Sequence, residues 1–80
     1  MAVAALSKKD LGKILGAVDG LLTVPAKRFW VDYDDEADVL YLSFRRPQKA
    51  TDSEMRDDGV IVRKHGDRVV GLTILDASKR

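Results

Sequence analysis

The sequence predicts an α+β domain in which an N-terminal amphipathic helix packs on a four- or five-stranded antiparallel β-meander sheet. Apolar residues recur at helical spacing near the N-terminus. From residue 27 onward, short segments rich in β-branched and aromatic residues alternate with turn residues. These segments are apolar on both faces, which adds the expectation of a dimer.

The helix is expected over residues 7–22. Ser7 can cap the first turn, and Asp10 lies near the positive end of the helix dipole. Because glycine costs about 1 kcal/mol against alanine inside a helix, Gly12, Gly16 and Gly20 make this helix weak on its own, and we expect it to need a docking surface. One stripe collects the apolar side chains Leu11, Ile14, Leu15, Val18 and Leu22.

The sheet region is expected over residues 27–78, in the same single domain of residues 1–80. Its four predicted strands are residues 27–33, 39–44, 60–64 and 68–75. An acidic turn at residues 34–37 and a turn around Gly66 connect two pairs of them. The interpretation of residues 48–58 stays open between a loop and an edge strand near residues 50–55 that would add a fifth strand.

Both faces of the predicted sheet need cover. Leu40, Leu42 and Phe44 point to one face, while Val39 and Tyr41 point to the other. A helix of this length covers about half of one face of a four-stranded sheet, by its roughly 10 Å width against about 19 Å of sheet. The uncovered remainder predicts a homodimer, because a second copy is the simplest source of apolar cover.

Composition narrows the class of protein. The chain has 80 residues and no cysteine, which removes disulfides and thiolate metal sites, and its one histidine cannot make a zinc site alone. Its 14 basic and 13 acidic side chains nearly cancel, which disfavours nucleic acid as the partner. No run of residues reaches the roughly 20 apolar positions of a membrane span, so we expect no membrane association and a cytoplasmic protein.

No constellation of residues predicts catalysis, a metal or a cofactor. The acidic cluster from Asp32 to Asp38 has alternating carboxylates, but a calcium loop counted from Asp32 would need glycine where Ala37 stands and glutamate where Ser43 stands. Asp34 is instead expected to bond the backbone of its own turn. After the last predicted strand only Lys79 and Arg80 follow the Asp-Ala-Ser step, so no further helix is expected there.

The basic residues gather or scatter according to topology. In a plain four-stranded meander, the turn at residues 63–68 lies beside the acidic hairpin and the charges cancel. If residues 50–55 form an additional strand, that turn instead joins Arg28, Arg45 and Arg46 at the end opposite the acids. Nucleic-acid binding through such a basic pole is therefore an alternative function, and a metal-binding or enzymatic role of the acidic hairpin is a second alternative.

Two sequence patterns resemble the Domain of Unknown Function 2283 family, a group of short β-rich prokaryotic proteins. The first is the hairpin from Tyr33 to Tyr41, and the second is the closing Leu-Asp-Ala-Ser at residues 75–78. The resemblance covers about residues 30–80 and implies a β-rich fold without an established enzyme activity. It also implies an antitoxin-like or partner-stabilising role, because genes of this family can lie beside the gene of a small toxin-like protein.

The function predicted overall is that of a small protein-interaction module acting as a homodimer, with a small protein partner and no enzyme activity. Aromatic and arginine side chains dominate many protein interfaces. The candidate partner-binding residues are therefore Trp30, Tyr41, Arg45 and Arg46.

Overall fold

The computed structural model describes residues 6–80 and confirms an α+β architecture. Two short helices precede five strands and a closing turn of 3-10 helix. The helices are α1 (Lys8–Gly16) and α2 (Val18–Leu22). The strands are β1 (Trp30–Asp34), β2 (Val39–Ser43), β3 (Asp52–Met55), β4 (Val60–His65) and β5 (Arg68–Leu75), and the 3-10 turn is Ala77–Lys79.

The five strands form one antiparallel sheet in the order β1-β2-β5-β4-β3. The open question at residues 48–58 is thus answered by an edge strand, β3. The predicted meander is wrong, because β5 returns to pair with β2 and separates the first hairpin from β3 and β4. The last strand therefore lies at the centre of the sheet, where it bonds to both halves.

The connection from β2 to β3 has to cross two strands, and Gln48 and Gly71 make that crossing possible. The Gln48 amide donates to the Ser43 hydroxyl at 2.9 Å and lies over Gly71 of β5. A Cβ at position 71 would collide with the Gln48 side chain and come within 2.8 Å of the Leu42 carbonyl oxygen. The missing side chain thus leaves room for the crossing loop, whose path includes a cis Arg46–Pro47 bond.

The loop is then joined to the β4–β5 hairpin. Thr51 donates its backbone N–H to the Lys64 carbonyl at 2.8 Å, and the Lys49 carbonyl accepts from Nδ1 of His65 at 2.8 Å. Because a carbonyl only accepts, the His65 proton lies on Nδ1 in this contact. These bonds place the start of β3 beside the end of β4.

The helix is divided into α1 and α2. The prediction that it packs on the sheet is wrong. Ser7 caps α1 as expected, with its hydroxyl accepting from the Asp10 N–H at 3.1 Å. At Ala17 the α-helical pattern is interrupted, because the Ala17 N–H donates to the carbonyl of Ile14, three residues back, at 3.0 Å. The second helix, α2, begins one residue later. No residue of either helix is buried, and Leu15 is 60% exposed.

The physical reason is visible in the sequence of the helix itself. Gly12, Gly16 and Gly20 have no heavy atom near the place where a Cβ would lie, so no close packing partner compensates for their cost to helix stability. The radius of gyration of 14.0 Å also exceeds the roughly 11.6 Å of a compact 80-residue domain.

Among the described residues, no helix is long and apolar enough to cross a membrane.

Candidate functional site

The open face of the sheet is its most extensive apolar surface. Strand register places eight apolar residues on this face, together with the charged Glu54 of the edge strand β3, because residues directly opposite each other in antiparallel strands share a face. None of the eight is buried, and Val31 is 59% exposed. The eight apolar residues of the open face are Val31, Tyr33, Leu40, Leu42, Val60, Val62, Leu72 and Ile74.

The burial of the sheet is correspondingly slight. Only Val39 and Val70 are buried among the apolar side chains of the described chain, at 8% and 3% exposure. Fully buried side chains usually form a contiguous core in a stable domain, and two residues do not make one. The open face therefore carries the apolar side chains of a protein core but has no packing partner.

A cavity of about 790 Å³ lies at one end of the open face. Residues 23–26, which link α2 to the sheet region, form one wall, and Phe44, Val70 and Leu72 form the apolar floor. Arg45 and Arg68 stand at its rim. The linker thus covers only this end of the open face. The covered end lies next to the T-shaped contact of Phe29 and Phe44, whose ring centres are 5.9 Å apart.

The candidate residues Trp30 and Tyr41 lie on the side of the sheet opposite the open face, which we call the reverse face. The Arg46 guanidinium lies 5.7 Å from the centre of the Trp30 ring, a cation–π contact that holds both side chains. Tyr41 is 42% exposed on the same face, whereas Arg45 lies at the cavity on the other side. The structure thus brings three of the four candidate residues to one face and leaves Arg45 apart from them.

The two sequence patterns that resemble one family meet at Asp38. Its Oδ1 accepts from the Tyr33 hydroxyl at 2.7 Å and from the Ser78 N–H at 3.0 Å, and its Oδ2 accepts from the Ser78 hydroxyl at 2.8 Å. The Ala77 N–H adds a bond of 3.0 Å to the Asp38 carbonyl. These bonds hold the C-terminal 3-10 turn against the first hairpin, and such a turn was not expected from the sequence.

The shared hydrogen bonds shift two pKa values in opposite directions. The Tyr33 hydroxyl, followed by the side chain and the N–H of Ser78, stabilises the charged carboxylate and lowers the pKa of Asp38. The same bond to Asp38 raises the pKa of Tyr33, because the phenol proton is held by a carboxylate. The carboxylate therefore stays ionised and works as an acceptor rather than as a proton donor.

Asp34 bonds the backbone of its own turn, as predicted. Its Oδ1 accepts from the backbone N–H groups of Glu36 and Ala37, both at 3.1 Å. Asp38 then takes a left-handed conformation with φ of 57°, which aspartate tolerates better than most residues. Within residues 6–80, no three histidine, aspartate or glutamate side chains come together as a metal-binding group.

Sequence reasoning missed the Asp38–Ser78 and Gln48–Gly71 contacts. The first had a signal, since both partners belong to the two patterns that carry the family resemblance. The second had none, because a lone glutamine in a loop and a glycine in a strand become related only when the strand order is known.

Many charged residues of the turns and loops lie at two opposite ends of the sheet, with acidic residues more numerous at one end and basic residues at the other. The register pairs Val39 with Leu75 and Val60 with Ile74, so the turns after β1 and β3 lie at one end. We call this end the acidic pole, with Asp34, Asp35, Glu36, Asp38, Asp57 and Asp58. The opposite end, beyond Ser43 and Gly71, is the basic pole, with Arg28, Arg45, Arg46, Lys49 and Arg68.

The described residues thus form an open five-stranded antiparallel sheet with an exposed apolar face. The family model of a protein of unknown function, DUF2283, matches residues 30–78, more than half of the chain. The chain therefore belongs to the DUF2283 family, as the two sequence patterns suggested. No curated protein and no solved structure matches it.

Proposed function

We propose that the chain is a protein-interaction module that works as a homodimer, with the open face of each sheet covered by a second copy. The observation that carries the proposal is the amount of surface left exposed. A folded monomer of 8.9 kDa is expected to expose about 4,800 Å². This chain exposes 6653 Å², more than a third above that value.

The excess is large enough for an interface. Residues 1–5 lie outside the description and can contribute at most roughly 650 Å², by the scaling of an unfolded chain with mass. More than roughly 1,000 Å² of excess then remains, against the roughly 800 Å² that each partner buries in a standard interface. Exposed apolar residues of the open face and of the helix stripe, such as Val31 and Leu15, contribute to this area.

A pair of matched variants tests which face forms the interface. Val31 on the open face and Met55 on the reverse face are exposed edge-strand residues, at 59% and 60%. Val31→Lys places a charge in the proposed interface and should give a monomer by light scattering. Met55→Lys should remain a dimer. Dimer loss only in Met55→Lys would show that the reverse face is the interface.

The reverse face is the proposed contact for a small protein partner. Trp30, held by Arg46, offers a rigid aromatic anchor, and Tyr41 beside it offers exposed area. Neutralisation of such a partner, in the manner of an antitoxin, is the form of this role that the family resemblance suggests. A pull-down from native cells should recover one small protein in near-stoichiometric amount, and Tyr41→Ala should lose it. Recovery of the bare homodimer alone would contradict the partner role.

A further inference from the structure

We infer that the basic pole is a binding site for the phosphate backbone of nucleic acid. The inference is independent of the proposed homodimer and starts from the strand order. Because β3 exists and β5 lies between β2 and β4, the β4–β5 turn lies beside the end of β2. Cationic side chains from separate parts of the sequence thus reach one end of the sheet.

The cations of the basic pole are spread over neighbouring strands of the sheet. Arg28 precedes β1 and Arg45 follows β2, and the contact of Phe29 with Phe44 shows that these two segments still run side by side there. Arg68 opens β5, and Lys49 is tied to the end of β4 by the bond from His65 to its carbonyl. From β1 to β4 the row spans about 14 Å at about 4.8 Å per strand. The four cations of this row can therefore contact up to four phosphates of a nucleic-acid backbone, one for each side chain.

The charges of this row are available for a ligand. In the described part of the chain, Arg56 and Lys64 are the basic residues that form ion pairs, with Asp58 and Glu54 respectively. None of the five residues of the basic pole has a carboxylate partner within 4.0 Å there. Asp52 and Asp67 are the carboxylates near the pole, so positive charge predominates.

The balanced net charge of the chain does not cancel this local field. The two poles are separated by strands of about five residues, or about 17 Å. Exposed charges further apart than the Debye length, about 8 Å at physiological salt, are largely screened from each other. A phosphate at the basic pole therefore experiences the five cations nearby more than the carboxylates of the acidic pole.

The chemistry of the side chains favours phosphate as the ligand. Four of the five are arginines, whose planar guanidinium groups bind phosphate oxygens in pairs. Arg46 is held against the Trp30 ring, so part of its conformational freedom is already lost before binding. An acidic protein surface is the competing occupant in the test, because carboxylates also bind guanidinium groups.

The experiment measures fluorescence anisotropy of a labelled 20-base-pair DNA duplex, its single strand and polyglutamate, titrated with the full chain between 50 and 200 mM salt. We expect nucleic-acid affinity to fall about a hundredfold over this range, a slope of about −3.5 for four phosphate contacts. Preference between the duplex and the single strand will identify the form of nucleic acid. Absence of binding to both at 50 mM salt would overturn the inference, as would tighter binding of polyglutamate.

Two double variants with the same change in net charge separate the pole from the overall charge. Lys49→Gln with Arg68→Gln removes two cations of the basic pole and should lower the slope to about −2. Arg56→Gln with Lys79→Gln removes two cations near the acidic pole and should leave it unchanged. Equal effects of both pairs would overturn the inference. Circular dichroism of both variants checks the fold, and light scattering shows separately whether the homodimer persists.

Discussion

Ser78 and Asp38, forty residues apart, are joined by two hydrogen bonds, from the serine hydroxyl to Oδ2 at 2.8 Å and from its backbone N–H to Oδ1 at 3.0 Å. The chain end and the first hairpin therefore close on each other at the acidic pole. The Tyr33 hydroxyl also donates to Oδ1, so Tyr33, Asp38 and Ser78 of the family pattern form one hydrogen-bonded group. They fix the turn that follows the central strand.

Ser78→Ala should lower the melting temperature by a few degrees. The substitution removes the hydroxyl donor and leaves the backbone bond in place, and a single exposed hydrogen bond makes a modest contribution to stability. Ser53→Ala, on the exposed edge strand β3, is the matched control and should change little. Equal melting temperatures for both variants, measured by circular dichroism, would show that the Asp38–Ser78 contact contributes nothing.

The Asp38 carboxylate should make stability depend on pH in the acid range. Its pKa in the folded chain lies below the ordinary 3.8, so the unfolded chain binds the proton more readily. The stabilisation is thus present above pH 3.8 and is lost as the pH falls through the lower folded value. Urea unfolding at several pH values should show the parent losing its advantage over Asp38→Asn in this window. A constant difference down to the lowest pH would contradict the assignment.

Tyr33 should give the opposite dependence in the alkaline range. Its folded pKa is raised above 10.0, chiefly by the hydrogen bond to Asp38, so the folded chain holds the proton longer. The contribution is fully present below pH 10.0 and disappears as the pH rises through the folded pKa. Tyr33→Phe should be less stable than the parent at neutral pH, and the gap should close at high pH. An ultraviolet titration of the tyrosines provides the direct check, with Tyr41→Phe as the control.

Gly71→Ala should destabilise the fold by about 1–3 kcal/mol, the usual cost of overpacking. The new methyl group would collide with the Gln48 amide and approach the Leu42 carbonyl oxygen. Adding Gln48→Ala should recover only part of the loss, because the carbonyl remains. Gly12→Ala, where no heavy atom lies near, should instead stabilise by up to about 1 kcal/mol. Urea unfolding of the four proteins measures these differences, and a neutral Gly71→Ala would refute the crossing-loop contact.

Strand positions were predictable from the sequence because side-chain alternation and turn residues are local signals. The segments around Val39 and Val60 were located this way, and so was the bonding of Asp34 to its turn. Strand order was not predictable, since the pairing of β2 with β5 depends on a loop that crosses the sheet at Gly71. The charge poles followed from that order, so the sequence supported them only as one of two alternatives.

The helix shows a different limit of sequence reasoning. Its apolar stripe and its Ser7 cap are local features and were correctly located, but a stripe does not identify what covers it. The expectation that it packs on the sheet of its own chain was wrong, because Leu11 and Leu15 remain about half exposed or more, at 48% and 60%. The cover proposed here comes from a second copy, which no periodicity in one sequence can specify.

The most direct test of the homodimer is the molar mass of the unmodified chain in solution, measured by light scattering during size-exclusion chromatography at micromolar concentration. The exposed open face predicts about twice the 8.9 kDa mass of one chain. Dilution should shift the population toward the single chain, as expected for an equilibrium between copies. A mass of 8.9 kDa that does not change with concentration would contradict the proposal that a second copy covers the open face.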